Sequence, residues 1–445
     1  MAKDFKGPPV RGASQRPAMP RAKANSPKAG ARSSQLGAKS PKVSAKAPRV
    51  NAKDRLGAVN ELSRGFMRKV LHAQSLEFYL LLGLTLFMVT FGVVMVLSSS
   101  FVDSMRQDDN PFGIFFKQFA AAILGLIALA FISLASTAFV RKMMTPLTLI
   151  AMVVQILVVF TPLGVSVNGN KNWIRIFSFT LQPSEFLKLG MILLTAQFIF
   201  NKRHELHEPK ETWMIVGISG AVIMAAVAAG KDVGTVIIMA MILFGMTVLS
   251  GLPRKLTYWV MIAAAVAVPV IMRSSSSRWG RVMAWLNPSA PDPNDYGWQS
   301  IHGVWAFAAG GIWGVGLGQS QLKWSWIPEA ENDFIFAIIG EEMGLIGGVI
   351  VILLILFMAL ILIRIALRTD DLFKRLVVLG IMLWLSLQSF TNIAVVLTLL
   401  PVLGVPLPLI SSGGSSILAS LMAIGVVLAI ERENHARPIR PGRMR

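Results

Sequence analysis

The chain has 445 residues and no cysteine, which excludes a disulfide framework, a thiolate nucleophile and any cysteine-built metal centre. Its five histidines, at positions 72, 204, 207, 302 and 435, form no metal-spaced cluster, and His204 and His207 sit in a short polar loop where they read as solvated. Charge is scarce as well. Only 15% of the residues are charged against 54% hydrophobic, and the mean hydropathy is +0.61. Those values exclude a soluble domain and mark an integral membrane protein.

Acids are nearly missing from residues 1–75, where Asp4, Asp54 and Glu61 face 17 Lys and Arg for a net charge of +14. Most of the chain's net charge of +20 therefore belongs to this stretch. It is rich in Pro, Ser, Ala and Gly, has almost no large apolar residue before Leu56, and cannot bury a core. It reads as a disordered cytoplasmic tail. It lacks the short apolar stretch of a signal peptide, so it is expected to stay in the mature protein. Its chemistry suits anionic lipid or an acidic partner better than nucleic acid.

What is present is a series of apolar runs of spanning length, near 76–99, 113–134, 145–163, 184–200, 213–229, 233–251, 256–272, 334–363, 376–400 and 414–430. The basic connections (Arg141–Lys142, Lys202–Arg203, Arg254–Lys255, Arg364 to Arg375 and the Arg-rich end after Glu431) alternate with acidic, short or Gly/Pro-dominated ones. Placing the basic ones inside predicts an all-α membrane protein of about ten spans with both termini cytoplasmic. The membrane domain is 76–431, followed by a basic tail at 432–445. The outer face then collects the loop at 164–183, the turn at 230–233, a large loop at 274–333 between spans seven and eight, and the connection at 401–415. Trp298 to Ile312, inside the large loop, is apolar with helical spacing and is expected to lie in or dip into the membrane. The loop's many Trp residues suit a membrane–water boundary.

The most informative stretch is Trp324 to Gly344, WSWIPEAENDFIFAIIGEEMG. Glu329, Glu331, Asp333 and the Glu341–Glu342 pair stand at the mouth of, and inside, an apolar segment. Carboxylates there cost several kcal/mol unless they are used or paired. If a helix begins at Asp333, Glu341 lies about 12 Å deeper, placed to tune a site or bind a cation. The outward-facing bases Lys171, Arg175, Lys231, Arg278, Arg281 and Lys323 suit a phosphate or pyrophosphate, and Glu185 and Lys188 can pair at i,i+3. One carboxylate, with Asp333 foremost and Asp232 next, could accept a proton from an attacking hydroxyl. Gly413 and Gly414 precede the last run. They are either a tight turn or a helix N-terminus for a pyrophosphate. A transporter with midplane charges, a lipid flippase and a non-catalytic scaffold account for parts of the same inventory.

The motifs WIPEAENDFIFAIIGEEMGLIG, NPSAPDPNDYGWQS, GGIWGVGLGQSQLKW, WIRIFSFTLQPSEFLKL, GKDVGT and LPLISSGGSS resemble the series found in the SEDS (shape, elongation, division and sporulation) family, in order over about residues 75–432. The division members resemble the chain more than the elongation members do. The resemblance implies a peptidoglycan glycosyltransferase that polymerises lipid II on the outer face of the bacterial cytoplasmic membrane, at the division septum. It further implies a class B penicillin-binding protein and other divisome proteins as partners, besides membrane lipid. It places the essential acid on Asp333 and supporting residues on Glu329, Glu341, Glu342, Gln182, Glu185, Lys188 and Asp232. No cofactor is implied; a divalent cation (Mg or Mn) at the pyrophosphate is left open. The chain departs from the family pattern at Asn332, Trp298, Ser412 and Thr180, and Arg175 is a substitute for the arginine usual at the position of Thr180.

Overall fold

The computed structural model describes residues 74–108, 110–167, 170–176, 179–203, 209–251, 272–273, 276–287, 297–324 and 330–436. The basic tail, the apolar run at 256–272 up to residue 271, and Glu329 lie outside these residues. In chain order the elements are α1 (Leu76–Asp108), α2 (Gly113–Leu134), α3 (Thr137–Phe160), β1 (Gly164–Val167), β2 (Asn170–Ile176), β3 (Phe179–Leu181), α4 (Pro183–Asn201), α5 (Pro209–Ala229) and α6 (Val233–Leu249). They continue with α7 (Ser276–Leu286), α8 (Trp298–Gly310), α9 (Ile335–Arg368), α10 (Leu372–Val396) and α11 (Gly414–His435). Among the described residues seven helices, α1 to α4 and α9 to α11, are long and apolar enough to cross a membrane, and α5 and α6 contribute shorter apolar stretches.

Three helices form the inside of the bundle. Most of the apolar windows of α4, α10 and α11 are buried, whereas α2 and α3 expose most of theirs. Phe131, Leu149, Ile150 and Phe160 are among the bare side chains. In a chain of this composition such a surface is the one that faces lipid. α11 packs mainly on α2, α10 on α9, α6 and α4, and α1 on α2 and α9. Pro146 lies inside α3, which begins ahead of the apolar run and takes Arg141 and Lys142 into its first turns.

Two features correct the expected architecture. The loop at 164–183 is a three-stranded antiparallel sheet in the order β1-β2-β3, so the fold is not purely helical. An Asn-Gly pair between alternating apolar residues is a hairpin signal, and Asn168-Gly169 supplies it. The sheet docks through Asn172, which is fully buried: its Nδ2 donates to Gly230 O at 3.0 Å and its Oδ1 accepts from Gln155 Nε2 at 2.7 Å.

The second correction concerns α9, which is broken at Gly344 (φ 68°, ψ −166°). Only glycine occupies that region without strain. A Cβ there would also lie 2.4 Å from Gly314 N and Ile312 O. Into the break runs the glycine-rich stretch after α8: Leu345 N–H donates to Gly311 O at 2.9 Å, and Val315 and Gly316 N–H donate to Glu341 and Glu342 O at 3.0 Å each. Asp333 therefore precedes a short buried helical arm, and the long exposed helix begins only after the break.

Candidate active site

Asp333 stands where three segments meet. Its own segment, 330–334, joins the 401–413 connection through Ser412 N–H, which donates to Glu331 O at 2.8 Å. From α10, Asn392 Nδ2 donates to both Asp333 O at 2.7 Å and Val405 O at 2.8 Å, pinning the two strands of backbone together. Next to it, Phe334 is fully buried against Gly303 of α8, where an added Cβ would meet the ring at 3.2 Å. The Asp333 carboxylate rests over Gly404, whose φ is +70° and whose hypothetical Cβ would be 3.5 Å from Asp333 Oδ2. The residue is half-buried, with its backbone carbonyl held by Asn392.

Across the same connection lies Asp232. Gly234, in the first turn of α6, approaches Leu403 so closely that a Cβ would be 2.3 Å from its carbonyl oxygen. The Leu403–Gly404 backbone thus runs between the two acids. Asp232 is the N-cap of α6, accepting from Thr235 N–H at 3.0 Å, and its other oxygen accepts from Gln182 Nε2 at 2.9 Å. Burial pushes its carboxyl above the usual 3.8; the bonds from Thr235 work against that, Glu185 adds to it, and Lys188 opposes it. Gln182 is itself fixed, its N–H donating to Ser415 Oγ of α11 at 2.8 Å.

Cations border this acid. Arg278 of α7 donates to Lys231 O at 3.1 Å, and its pKa is drawn down by partial burial and by Arg281, with Asp232 pulling the other way. α7 is anchored by Trp285 Nε1, which donates to Thr398 O at 2.8 Å. Arg281, Lys231 and Arg175 have no side-chain partner among the described residues. Arg175 on β2 pairs directly with Thr180 on β3, so the two side chains leave the same face of the sheet. The arginine thus stands beside the position it was expected to serve.

Behind the acids a polar ladder descends α10 through Asn392, Gln388 and Trp384, one turn apart and all buried. Gln388 Oε1 accepts from Lys188 Nζ at 2.7 Å and from Trp384 Nε1 at 2.8 Å, while its Nε2 donates to Pro406 O at 2.8 Å. Lys188 pairs with Glu185 at 2.8 Å and lies 4.9 Å from the Trp384 ring centroid. Sequence reading missed Gln388 and Asn392. The signal was present as two amides at i,i+4 inside an apolar span, where an unpaired amide is costly.

The remaining acids do other work. Glu341 turns away to the loop at 320–322: Ser320 Oγ donates to Oε2, and Gln321 and Leu322 N–H donate to Oε1 at 2.8 and 3.4 Å. Glu342 Oε1 accepts from Ser98 Oγ of α1 at 2.6 Å and pairs with Lys323 at 3.4 Å. Lys323 also donates to Gly318 O at 2.7 Å and is buried, so it is part of this tie rather than of the cationic border. Among the described residues no group of three or more His, Asp or Glu is placed to hold a metal ion. Gly413 N–H, one arm of the expected anion site, donates to Gln118 Oε1 at 3.0 Å. Gly413 has extended backbone (φ 168°), and a Cβ on Gly414 would make only ordinary contact with Ala121. The geometry thus requires glycine at neither position.

Residues 78–436 match the family model FtsW/RodA/SpoVE, described as "Cell cycle protein". The chain is 37% identical over 351 residues to the probable peptidoglycan glycosyltransferase FtsW of Mycobacterium tuberculosis, covering 79% of this chain and 67% of that one. It is 35% identical over 357 residues to the stage V sporulation protein E of Bacillus subtilis, covering 79% and 96%. Its fold is similar to that of the rod shape determining protein RodA of Thermus thermophilus (TM-score 0.60, 22% identity, 83% and 99% covered). It is also similar to a chain in a peptidoglycan synthase complex that coordinates polymerization and crosslinking (TM-score 0.65, 24% identity, 82% and 100% covered).

Proposed function

Because the chain belongs to the FtsW/RodA/SpoVE family, we propose that it is a peptidoglycan glycosyltransferase that polymerises lipid II at the outer membrane surface, with Asp333 as general base. The observation that carries this reading is the setting of Asp333: a half-buried acid with a fixed backbone, across one stretch of backbone from Asp232 and its border of cations. In the reaction an acceptor sugar hydroxyl attacks the anomeric carbon of the donor. The new C–O bond forms as the bond to the lipid pyrophosphate breaks, and the hydroxyl proton passes to the Asp333 carboxylate. An unperturbed Asp is far too weak a base to ionise a sugar hydroxyl beforehand. It therefore accepts the proton late, as the leaving group departs. Arg281, Lys231 and Arg175 can neutralise the departing pyrophosphate. A divalent cation at the pyrophosphate is also part of the proposal, although among the described residues no group of three or more His, Asp or Glu gathers to hold one.

The ten-span arrangement with cytoplasmic termini belongs to the same reading. It is supported by the seven long and two shorter apolar helices and by basic residues gathering at the ends remote from Asp333. So do action at the septum and pairing with a class B penicillin-binding protein. Support for that partner comes from the likeness to a chain in a synthase complex, and support for the septum from the relatives named FtsW. The test is to give purified protein lipid II in liposomes. Glycan polymer is the expected product. Transbilayer movement without polymer would identify a flippase, and neither would identify a scaffold.

A further inference from the structure

At the end of the bundle opposite Asp333, the start of α3, the start of α10 and the end of α11 enclose a cavity of about 330 Å³, lined by Thr137, Arg141, Asp371, Phe373, Lys374 and Glu433 among others. Two of its charges are already used. Glu433 accepts from Thr137 N–H at 2.7 Å, Thr137 Oγ1 at 2.5 Å and Lys374 Nζ at 2.6 Å. Asp371 caps α10 by accepting from Lys374 N–H at 3.0 Å.

Arg141 is in a different state. Its Nε donates to Gln197 Oε1 at 2.5 Å, and its guanidinium lies against two rings, 4.7 Å from the centroid of Phe200 and 4.9 Å from that of Phe373. Among the described residues its two terminal nitrogens have no partner. The guanidinium is thus fixed on three sides while its outer fork, with four N–H donors, borders the cavity. Lys374 stands nearby, buried, with only one of its N–H groups committed to Glu433.

We propose that this cavity binds the phosphate diester of a phospholipid from the adjacent leaflet. The two non-bridging oxygens of a diester match the guanidinium fork in spacing and charge, and Lys374 supplies a second cation. A lipid fits better than a free anion because α3 continues from the cavity as an apolar stripe: Leu149, Ile150 and Val153 are 60%, 60% and 55% exposed. They share one side of the helix, so an acyl chain can lie along them while the headgroup enters between α3 and α10. The proposal is independent of the glycosyltransferase reading.

The test is native mass spectrometry of the full chain, released from detergent and titrated with phosphatidylglycerol. Charge-assisted bonds to a phosphate are worth enough that Arg141→Gln should weaken the tightest lipid-binding event at least about tenfold. Arg141→Lys keeps the charge and loses the fork, so it should fall between the two; it also decides the matter if Arg141→Gln does not fold. Diacylglycerol of the same acyl length should not bind at this site, and inorganic phosphate at equal concentration should not displace the phospholipid. Equal retention by wild type and the Arg141 variants would overturn the proposal. So would diacylglycerol binding as tightly, which would leave only an apolar groove. Displacement by inorganic phosphate would reassign the cavity to a free anion.

Discussion

Asp333 and the Glu341–Glu342 pair occupy the two ends of one short helical arm, yet they live in opposite conditions. The two glutamates are almost fully buried. Glu341 engages both oxygens with the 320–322 loop, and Glu342 is tied to Ser98 and Lys323. Asp333 is only partly buried; its backbone is held by Asn392, and its carboxylate lies over Gly404. Glu341, buried with both oxygens engaged, can hold segments together but has no oxygen to offer a substrate. The partly buried Asp333, on its fixed backbone, is the better placed of the two to take a proton. The difference separates architecture from chemistry within ten residues, and it yields predictions of descending size.

The largest effect belongs to Asp333. Asp333→Asn keeps the shape and removes the basic oxygen, so lipid II polymerisation by the purified protein should fall about 10²–10⁴-fold with the melting midpoint unchanged. Activity within a few-fold of wild type would falsify the assignment and pass the role to Asp232.

The opposite pattern is expected at Lys323. Lys323→Met strands Glu342 as a buried charge and should cost about 3–5 kcal/mol of stability, seen as a large drop in thermal midpoint in detergent. The protein that stays folded should keep most of its specific activity. A stable but inactive Lys323→Met would place this lysine in the site and erase the contrast.

Asn392 sharpens the comparison because its amide bonds the backbone of Asp333. Asn392→Ala leaves the Asp333 and Val405 carbonyls without their donor, at about 1–3 kcal/mol. It should lower kcat for polymerisation more than it raises KM, since the misplaced base matters most in the transition state. An effect on KM alone would make Asn392 a substrate contact.

Asp232 should give the smallest effect. Burial raises its carboxyl above 3.8, so the folded state holds this proton more tightly than the unfolded chain. Its contribution therefore favours folding at low pH and is lost as pH rises through the folded-state value. At pH 7 the buried carboxylate is a cost. Asp232→Asn still caps α6, so melting curves should show it equal to wild type or more stable by under about 1 kcal/mol. It should also flatten the gain that wild type shows on acidification from neutral pH towards 3.8. A wild type that loses stability over that range through this residue would reverse the sign.

Much of the helical plan was legible because hydrocarbon-length runs admit few structures other than helices. Gly113–Leu134 forms over the run read from the sequence, and Val233–Leu249 and Gly414–His435 begin where their runs begin. The sheet at 164–181 was written in an Asn-Gly pair and an alternating strand pattern, but both are short signals beside such long apolar ones. The pairing of Glu185 with Lys188 was legible too, since i,i+3 spacing is local geometry. Local pattern could not reveal what Lys188 does next, which is to reach Gln388 two hundred residues away.

Composition and periodicity by themselves thus determined that this is a membrane-embedded helical protein with its acids concentrated before and within one apolar segment. Burial in lipid leaves a backbone little choice, and that constraint is readable residue by residue. What surrounds each of those acids was decided only by tertiary structure. The break at Gly344 brings the loop before α9 back onto Glu341 and Glu342, and Asn392 fixes Asp333 against the 401–413 connection. Such partners come from segments distant in sequence. A carboxylate's chemistry depends on which donors reach it and how much water remains, and neither is encoded in its own neighbourhood.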